Sequence, residues 1–436
     1  MAKIRSRAPF REHGVTAAEE LKCLPLMYSY TGDAQALSLA KRAYQKVVDN
    51  SLMPDGGIVS AEQLEKTAFY SVHESCDISD WSWSFGYMFM ATGEPGFADL
   101  IERTTFNALP GAVTKDFKQL QYFSAANQTV IGPTNSHSPL RSTRMTYRAA
   151  HDTECCPGNI NRAMPNYVIR SWMRASDGGL AAVFYCPSVV TAPVGSRSVT
   201  IVEETDYPFR DTISFRFMTA QPVAFNFQIR IPQWCDAASV QVNGETLADK
   251  HKPGTFASIR REYRDGDVVT VKLPMPVRVE SWLNGQSVCV ARGPLVYSLK
   301  IDEQPIVHTS DPPEIRKLLG GHDIQGFPEI EYYPLSDWRY GFPASLKNEL
   351  SNIREIESDM TDNPFIETNT PVQLELPLCP LSDWVPAVNG VRPGEPSGLP
   401  TADQRHATGP ETIMTLVPYG STHLRLTTLP IVDAGE

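Results

Sequence analysis

A chain of 436 residues has room for two or three domains, and 42 % hydrophobic with 20 % charged residues describes a folded protein with a sizeable core. A net charge of −11 without a long basic run argues against a nucleic-acid role and leaves small neutral ligands such as sugars compatible. No apolar run reaches the roughly 20 residues that span a bilayer. The opening "MAKIRSRAPFREHG" has no apolar segment after its basic residues, so it does not read as a secretory signal, and a cytoplasmic location away from membranes is expected.

In chain order, "TAAEELKCLPLMYSY" and "AQALSLAKRAYQKVVDN" carry apolar residues at three- and four-residue spacing and predict helices joined by a "TGD" break. "SWSFGYMFMA" and "GFADLIERTTFNAL" repeat that arrangement around "TGEP", which predicts helical hairpins of an α/α toroid. "INRAMPNYVIRSWMRA" predicts one further helix, perturbed at Pro165. After "SDGG" the texture changes to β-branched and aromatic runs such as "SVTIVEETDYPF" and "VAFNFQIRIPQW". Asn243-Gly244 and Asp265-Gly266 mark hairpin turns, so an antiparallel β-sandwich is expected here, with Asp265 and Asp267 as turn formers. The fold class expected is therefore multidomain α and β: residues 1–177 a helical part, 178–300 a β-sandwich domain, and 301–436 a Pro-rich, β-rich C-terminal region. Residues 1–177 supply about half the helices of a closed double ring, so either the toroid is partial or a segment precedes it.

The chemistry concentrates in two short stretches. "HDTECCPGNINR" contains adjacent Cys155 and Cys156, open to four readings: two core thiols, a strained disulfide, metal ligands or a catalytic group. A disulfide is disfavoured because neighbouring Cα atoms lie about 3.8 Å apart, short of the usual span. The Pro-Gly-Asn that follows predicts a turn into a helix, where a thiolate is favoured. "HESC" places Glu74 and Cys76 two residues apart, and together with Cys155 and Cys156 they make a Glu-Cys₃ set able to hold a tetrahedral zinc ion. For Glu74 the competing reading is a solvated carboxylate at a helix start. Cys23, Cys186, Cys235, Cys289 and Cys379 read as core residues, and Trp81 and Trp83 as core more readily than as sugar-stacking rings.

"HESC", "ECCPGN", "IRIPQW", "VNG", "RDGDVVTVKLPMPVRVE" and "ARGPLVYSLK", in this order, resemble glycoside hydrolase family 127, the β-L-arabinofuranosidases and their relatives. The resemblance runs from about residue 10 to 300, with echoes in "VPYGSTHLRLTTLP". It implies an (α/α)6 barrel followed by β-sandwich domains, with this chain starting midway through the barrel. It further implies a retaining glycosidase with Zn²⁺ on Glu74, Cys76, Cys155 and Cys156, Cys155 being the thiolate nucleophile. A Glu general acid/base upstream of "HESC" is implied too, and two candidates remain open: Glu62, within "SAEQL", and Glu65, by counting from the "GG" turn. "REHGVTAAE" resembles the family's Gly-His-Ala-Val element, making His13 a sugar contact, although Glu12 stands where Gly is usual. "QYFSAANQ" offers Tyr122, Asn127 and Gln128 as pocket wall, and His151 either lines the cleft or serves as a structural hydrogen-bonding residue. The partner expected is a small carbohydrate substrate, with a homodimer through the C-terminal β region also implied. The competing function is a non-catalytic, zinc-containing carbohydrate-binding or structural homologue.

Overall fold

The computed structural model of the protein describes residues 2–132, 144–151, 153, 155–311, 313–318, 327–366, 370–384 and 398–432. Contacts divide the chain into two units: residues 1–84, 103–163 and 277–436 form the first, and 85–102 with 164–276 the second.

After a one-turn helix at Ala2–Arg5, the first unit continues with α1 (Gly14–Leu21), α2 (Cys23–Thr31) and α3 (Ala34–Ser51). Gly32 in the left-handed region (φ 69°) ends α2, and the Asp33 carboxylate accepts from the Gln35 N–H to cap α3. On α3 the buried Ala36, Leu39, Ala40, Ala43, Tyr44 and Val47 line one face, as the sequence spacing predicts. Three short strands follow, β1 (Ser60–Ala61), β2 (Gln63–Leu64) and β3 (Val72–Glu74), then α4 (Ser75–Thr92). On α4 Trp81 is buried edge-on to Tyr44, and Trp83 has the Lys22 ammonium and the Arg162 guanidinium against its ring. Beyond further helical turns at Pro95–Arg103, Thr104–Ala108 and Leu109–Ala112 lie β4 (Phe123–Ala125), β5 (Asn127–Gln128) and the short helix α5 (Cys155–Ile160). Later in the chain, Ser287–Arg292, Leu295–Leu299, Thr412–Pro418, Val372–Pro380, Tyr340–Pro343 and Leu429–Val432 pair in that order. Leu429–Val432 pairs back onto Ser287–Arg292, so this sheet closes on itself and leaves no edge along that circuit.

In the second unit, a six-stranded and a four-stranded sheet face each other. Phe217 of the first stacks on Tyr263 of the second with centroids 4.2 Å apart, and Phe215 meets Trp172 and Phe227 edge-on. Positive φ at Asn243 (52°) and Gly244 (84°) makes the expected two-residue hairpin. Asp265 and Asp267 accept hydrogen bonds from Thr219, Arg264 and Asn243, as turn formers do. One expectation fails here. The helix foreseen to run through "INRAMPNYVIRSWMRA" stops at Val168, and Trp172–Arg174 is a strand. Trp172 is held by the aromatic core of the sheets, and tertiary packing outweighs the weak helical preference of a Trp-Met-Arg stretch.

Candidate active site

Three backbone pairings converge on one spot. Glu74 ends β3, which pairs antiparallel with β4 so that Glu74 lies opposite Phe123. The Ser75 N–H donates to the Tyr122 carbonyl (2.9 Å), and the Phe123 N–H to the Arg144 carbonyl (2.9 Å). Glu74, Tyr122 and Arg144 are thereby placed side by side on neighbouring backbone. Behind β3, His73 is fully buried with Nε2 2.8 Å from Asp55, and Gly57 lies against its ring, where a Cβ would come within 2.3 Å. Cys76 stands in the first turn of α4, Cys155 and Cys156 in that of α5.

The structure brings together Glu74, Cys76, Cys155 and Cys156, whose donor atoms all lie within 4.8 Å of one another. Cys76 Sγ and Cys156 Sγ are 3.3 Å apart, Cys155 Sγ and Cys156 Sγ 4.0 Å. Glu74 Oε1 is 3.4 Å from Cys155 and 3.5 Å from Cys156. A tetrahedral ion with Zn–S about 2.3 Å and Zn–O about 2.0 Å requires edges of about 3.8 Å between sulfurs and about 3.5 Å between sulfur and oxygen. The observed edges bracket those values, so the four residues fit such an ion. Their electrostatics agree. Burial pushes the Glu74 carboxyl up to about 8 and the Cys156 thiol well above its ordinary range. Cys76 is raised as well, through its hydrogen bond with Cys155. Cys155 is the exception: hydrogen bonds from Cys156 and Cys76, then from Tyr122, hold its thiol far below the ordinary range. Of the cluster it is the only sulfur that reaches solvent. A divalent cation would supply the compensation that one carboxylate and three thiolates need when buried together.

Glu62 adjoins this cluster. It is the single residue at the tip between β1 and β2, with φ 76°, a backbone conformation uncommon outside glycine. The strain is held by the chain beside it: the Gly14 N–H donates to the Glu62 carbonyl (2.9 Å), and the Leu64 N–H to the Glu12 carbonyl (2.8 Å). Gly14 approaches so closely that a Cβ would lie 2.5 Å from Ser60 Oγ and 2.7 Å from Asp77 Oδ2. Glu62 Oε1 accepts from the Tyr122 hydroxyl (3.1 Å) and the Arg144 guanidinium, and the same Tyr122 oxygen lies 3.7 Å from Cys155 Sγ. His13 caps α1, accepting from the Thr16 N–H at Nδ1, and its Nε2 lies 3.4 Å from Glu62 and 3.8 Å from Glu74. Glu65 is exposed and joins none of these contacts; its carbonyl accepts from Ser51 Oγ.

Two expected wall residues lie elsewhere. Asn127 is buried, donating to Phe69 and Thr428 and accepting from the N–H groups of Thr427 and Thr428. Gln128 is likewise spent on Ala125, Gln121 and the His423 carbonyl. Both pin β5 to Arg425–Leu426 instead of facing the site, because a buried amide satisfies its polar atoms before anything else. Asn127→Ala is expected to cost roughly 1–3 kcal/mol of stability with metal content unchanged, read by thermal denaturation and metal analysis. His151 is buried, its Nε2 donating to the Leu120 carbonyl (3.0 Å) and its ring edge-on to Tyr122, so it backs the phenol. Arg144, stacked 4.1 Å over the Tyr122 ring and bonded to Glu62, was not singled out by the sequence. Nothing in "RMTYR" separates it from Arg148, which is buried against Asp311 and Glu329.

Comparison with known proteins follows the same residues. The family model of the β-L-arabinofuranosidase GH127 catalytic domain matches residues 6–168, and that of the GH127 middle domain matches 179–275. The chain belongs to glycoside hydrolase family 127. The non-reducing end β-L-arabinofuranosidase of Bifidobacterium longum is 24 % identical over 363 residues, 72 % of this chain and 53 % of its own length. The chain thus spans about half the length of this curated relative. A solved GH127 β-L-arabinofuranosidase from Geobacillus stearothermophilus superposes with TM-score 0.69 at 19 % identity, covering 99 % of this chain and 62 % of that one. A solved glycoside hydrolase gives 0.71 at 19 % identity, covering 97 % and 66 %. These likenesses give the GH127 chain a multidomain α and β fold shared with solved family members. Among its described residues, no helix is long and apolar enough to cross a membrane.

Proposed function

We propose that this GH127 chain carries out retaining hydrolysis of β-L-arabinofuranosides, with Cys155 as nucleophile, Glu62 as acid/base, and zinc on Glu74, Cys76, Cys155 and Cys156. The helices α1–α4 then belong to an (α/α)6 barrel, a reading supported by the glycine-ended α2–α3 hairpin. The observation that carries the proposal is the Tyr122 hydroxyl, which touches both Glu62 and Cys155. Acid and nucleophile flank one phenol oxygen, 3.1 Å from the first and 3.7 Å from the second, which supports a pair able to act in turn on one anomeric carbon.

A zinc ion held by Glu74, Cys76, Cys155 and Cys156 would supply the positive charge that keeps these sulfurs ionised at neutral pH. Cys155 Sγ attacks the anomeric carbon, forming a C–S bond as the glycosidic C–O bond breaks, and Glu62 gives its proton to the departing oxygen. Glu62 then takes a proton from water as that water's oxygen attacks the same carbon, and the thiolate leaves. Tyr122, with Arg144 across its ring, fixes the Glu62 oxygen between these steps. His13 Nε2, edged by two carboxylates and 41 % exposed, can donate to a sugar hydroxyl.

The test is a panel of nitrophenyl furanosides and pyranosides assayed with and without a zinc chelator. Turnover on the β-L-arabinofuranoside that falls at least about tenfold on chelation and returns with zinc is expected. Turnover indifferent to the chelator removes the metal from the mechanism. A zinc-loaded chain inert on every sugar points to the non-catalytic homologue.

A further inference from the structure

Glu74 directs its two oxygens to different neighbours. Oε1 faces Cys155 and Cys156, while Oε2 turns toward His13 Nε2, 3.8 Å away. The Glu74 side chain is 1 % exposed, and among the described residues its buried Oε2 has no hydrogen-bond partner. A buried carboxylate oxygen left in that state calls for a ligand. Glu62 is divided in the same way: Oε1 holds Tyr122 and Arg144, and Oε2 lies 3.4 Å from His13 Nε2.

We propose that His13 Nε2, Glu62 Oε2 and Glu74 Oε2 form a second, weaker divalent-cation site, bridged to the cysteine cluster through Glu74. One donor atom from each of the three residues lies within 4.8 Å of the other two, and the His13 Nε2 edges to Glu62 Oε2 and Glu74 Oε2 are 3.4 and 3.8 Å. A tetrahedral ion with N and O donors at about 2.0–2.1 Å has edges of about 3.3–3.4 Å, so the His13–Glu62 edge already fits and the His13–Glu74 edge closes by a few tenths of an ångström. One imidazole and two carboxylates select a borderline cation such as Zn²⁺ or Co²⁺ over Mg²⁺ or Ca²⁺.

Three features make the site weak and exchangeable. His13 and Glu62 side chains are 41 % and 32 % exposed, so solvent competes for the ion. Arg144 lies on the other Glu62 oxygen and opposes a cation. Ligation also needs the His13 proton on Nδ1, which turns that atom from accepting the Thr16 N–H to donating to Thr16 Oγ1, 3.2 Å away. Resting on the function proposed above, one consequence follows: a cation here occupies the acid/base carboxylate, so excess metal inhibits an enzyme that needs one equivalent.

The test is a Co²⁺ titration of the full chain by equilibrium dialysis, followed by absorption. Wild type is expected to take one tight equivalent with a thiolate-to-cobalt band in the near ultraviolet. A second equivalent at higher free Co²⁺ should add visible absorption but no further thiolate band. His13→Asn, which retains an N-cap acceptor for α1, and Glu62→Gln should each weaken the second equivalent at least tenfold and leave the first in place. A wild type saturating at one equivalent up to millimolar Co²⁺ overturns the proposal. So does a second equivalent that survives both substitutions. Absence of the thiolate band instead sinks the Glu-Cys₃ centre, while the His13-dependent equivalent still judges the second site by itself.

Discussion

Cys155→Ala is expected to lower kcat/KM on a nitrophenyl β-L-arabinofuranoside by about 10³-fold or more, well beyond what loss of thiolate character alone produces. An ordinary cysteine, with pKa near 8.5, is a few per cent thiolate at pH 7, so full ionisation is worth only about 30-fold. Removing the sulfur removes the covalent path itself. The cluster's geometry favours Cys155 over Cys156 for that proposed role. Cys156 is fully buried and its thiol is pushed up, whereas Cys155 reaches solvent, has its thiol held low by hydrogen bonds from Cys156 and Cys76, and lies 3.7 Å from Tyr122. Cys156→Ala and Cys76→Ala are expected to fail through metal loss, visible in zinc analysis. Trapping of a sugar adduct on the wild type, located by peptide mass spectrometry, separates the two kinds of failure. Retention of more than a tenth of wild-type turnover by Cys155→Ala would end the thiolate mechanism.

How much of this was legible depends on what each residue's position needed. The Glu-Cys₃ set could be assembled from "HESC" and "ECCPGN" because each stretch sits at a helix start, where local sequence alone puts neighbouring donors on one side. The sandwich hairpins were legible for the same reason: Asn243-Gly244 specifies its own turn. What depends on partners distant in sequence was not. Asn127 and Gln128 read equally well as pocket wall or as buried amides until Thr427, Thr428 and His423 supply the hydrogen bonds that occupy them. Arg144 becomes part of the site only because the Phe123 N–H binds its carbonyl and its side chain then falls across Tyr122. Trp172 leaves its helix for a core of aromatic rings contributed by strands at least forty residues on. The acid/base choice shows the limit most clearly. Spacing from the "GG" turn and likeness to "SAEQL" point to different glutamates, since neither contains the positive φ that decides where the side chain goes.

That backbone detail makes the last comparison a strong one. Glu62→Gln is expected to lower turnover by about 10²–10⁴-fold, and Glu65→Gln to leave it within about twofold. Glu62 meets Tyr122, Arg144 and His13, whereas Glu65 is exposed one residue beyond β2. Gln keeps the size of Glu62 and can still accept from Tyr122, but it carries no proton to donate and takes none from water. The loss should therefore grow with the basicity of the leaving group, being smallest for a nitrophenolate that departs without protonation and largest for a sugar alcohol. Deglycosylation of Glu62→Ala, where water lacks its base, should be hastened by azide, which needs none, with a glycosyl azide as product. Glu65→Ala should show neither effect. A Glu62→Gln enzyme equally impaired on both leaving groups, or an azide-responsive Glu65→Ala, would move the acid/base role away from the residue at the strained turn.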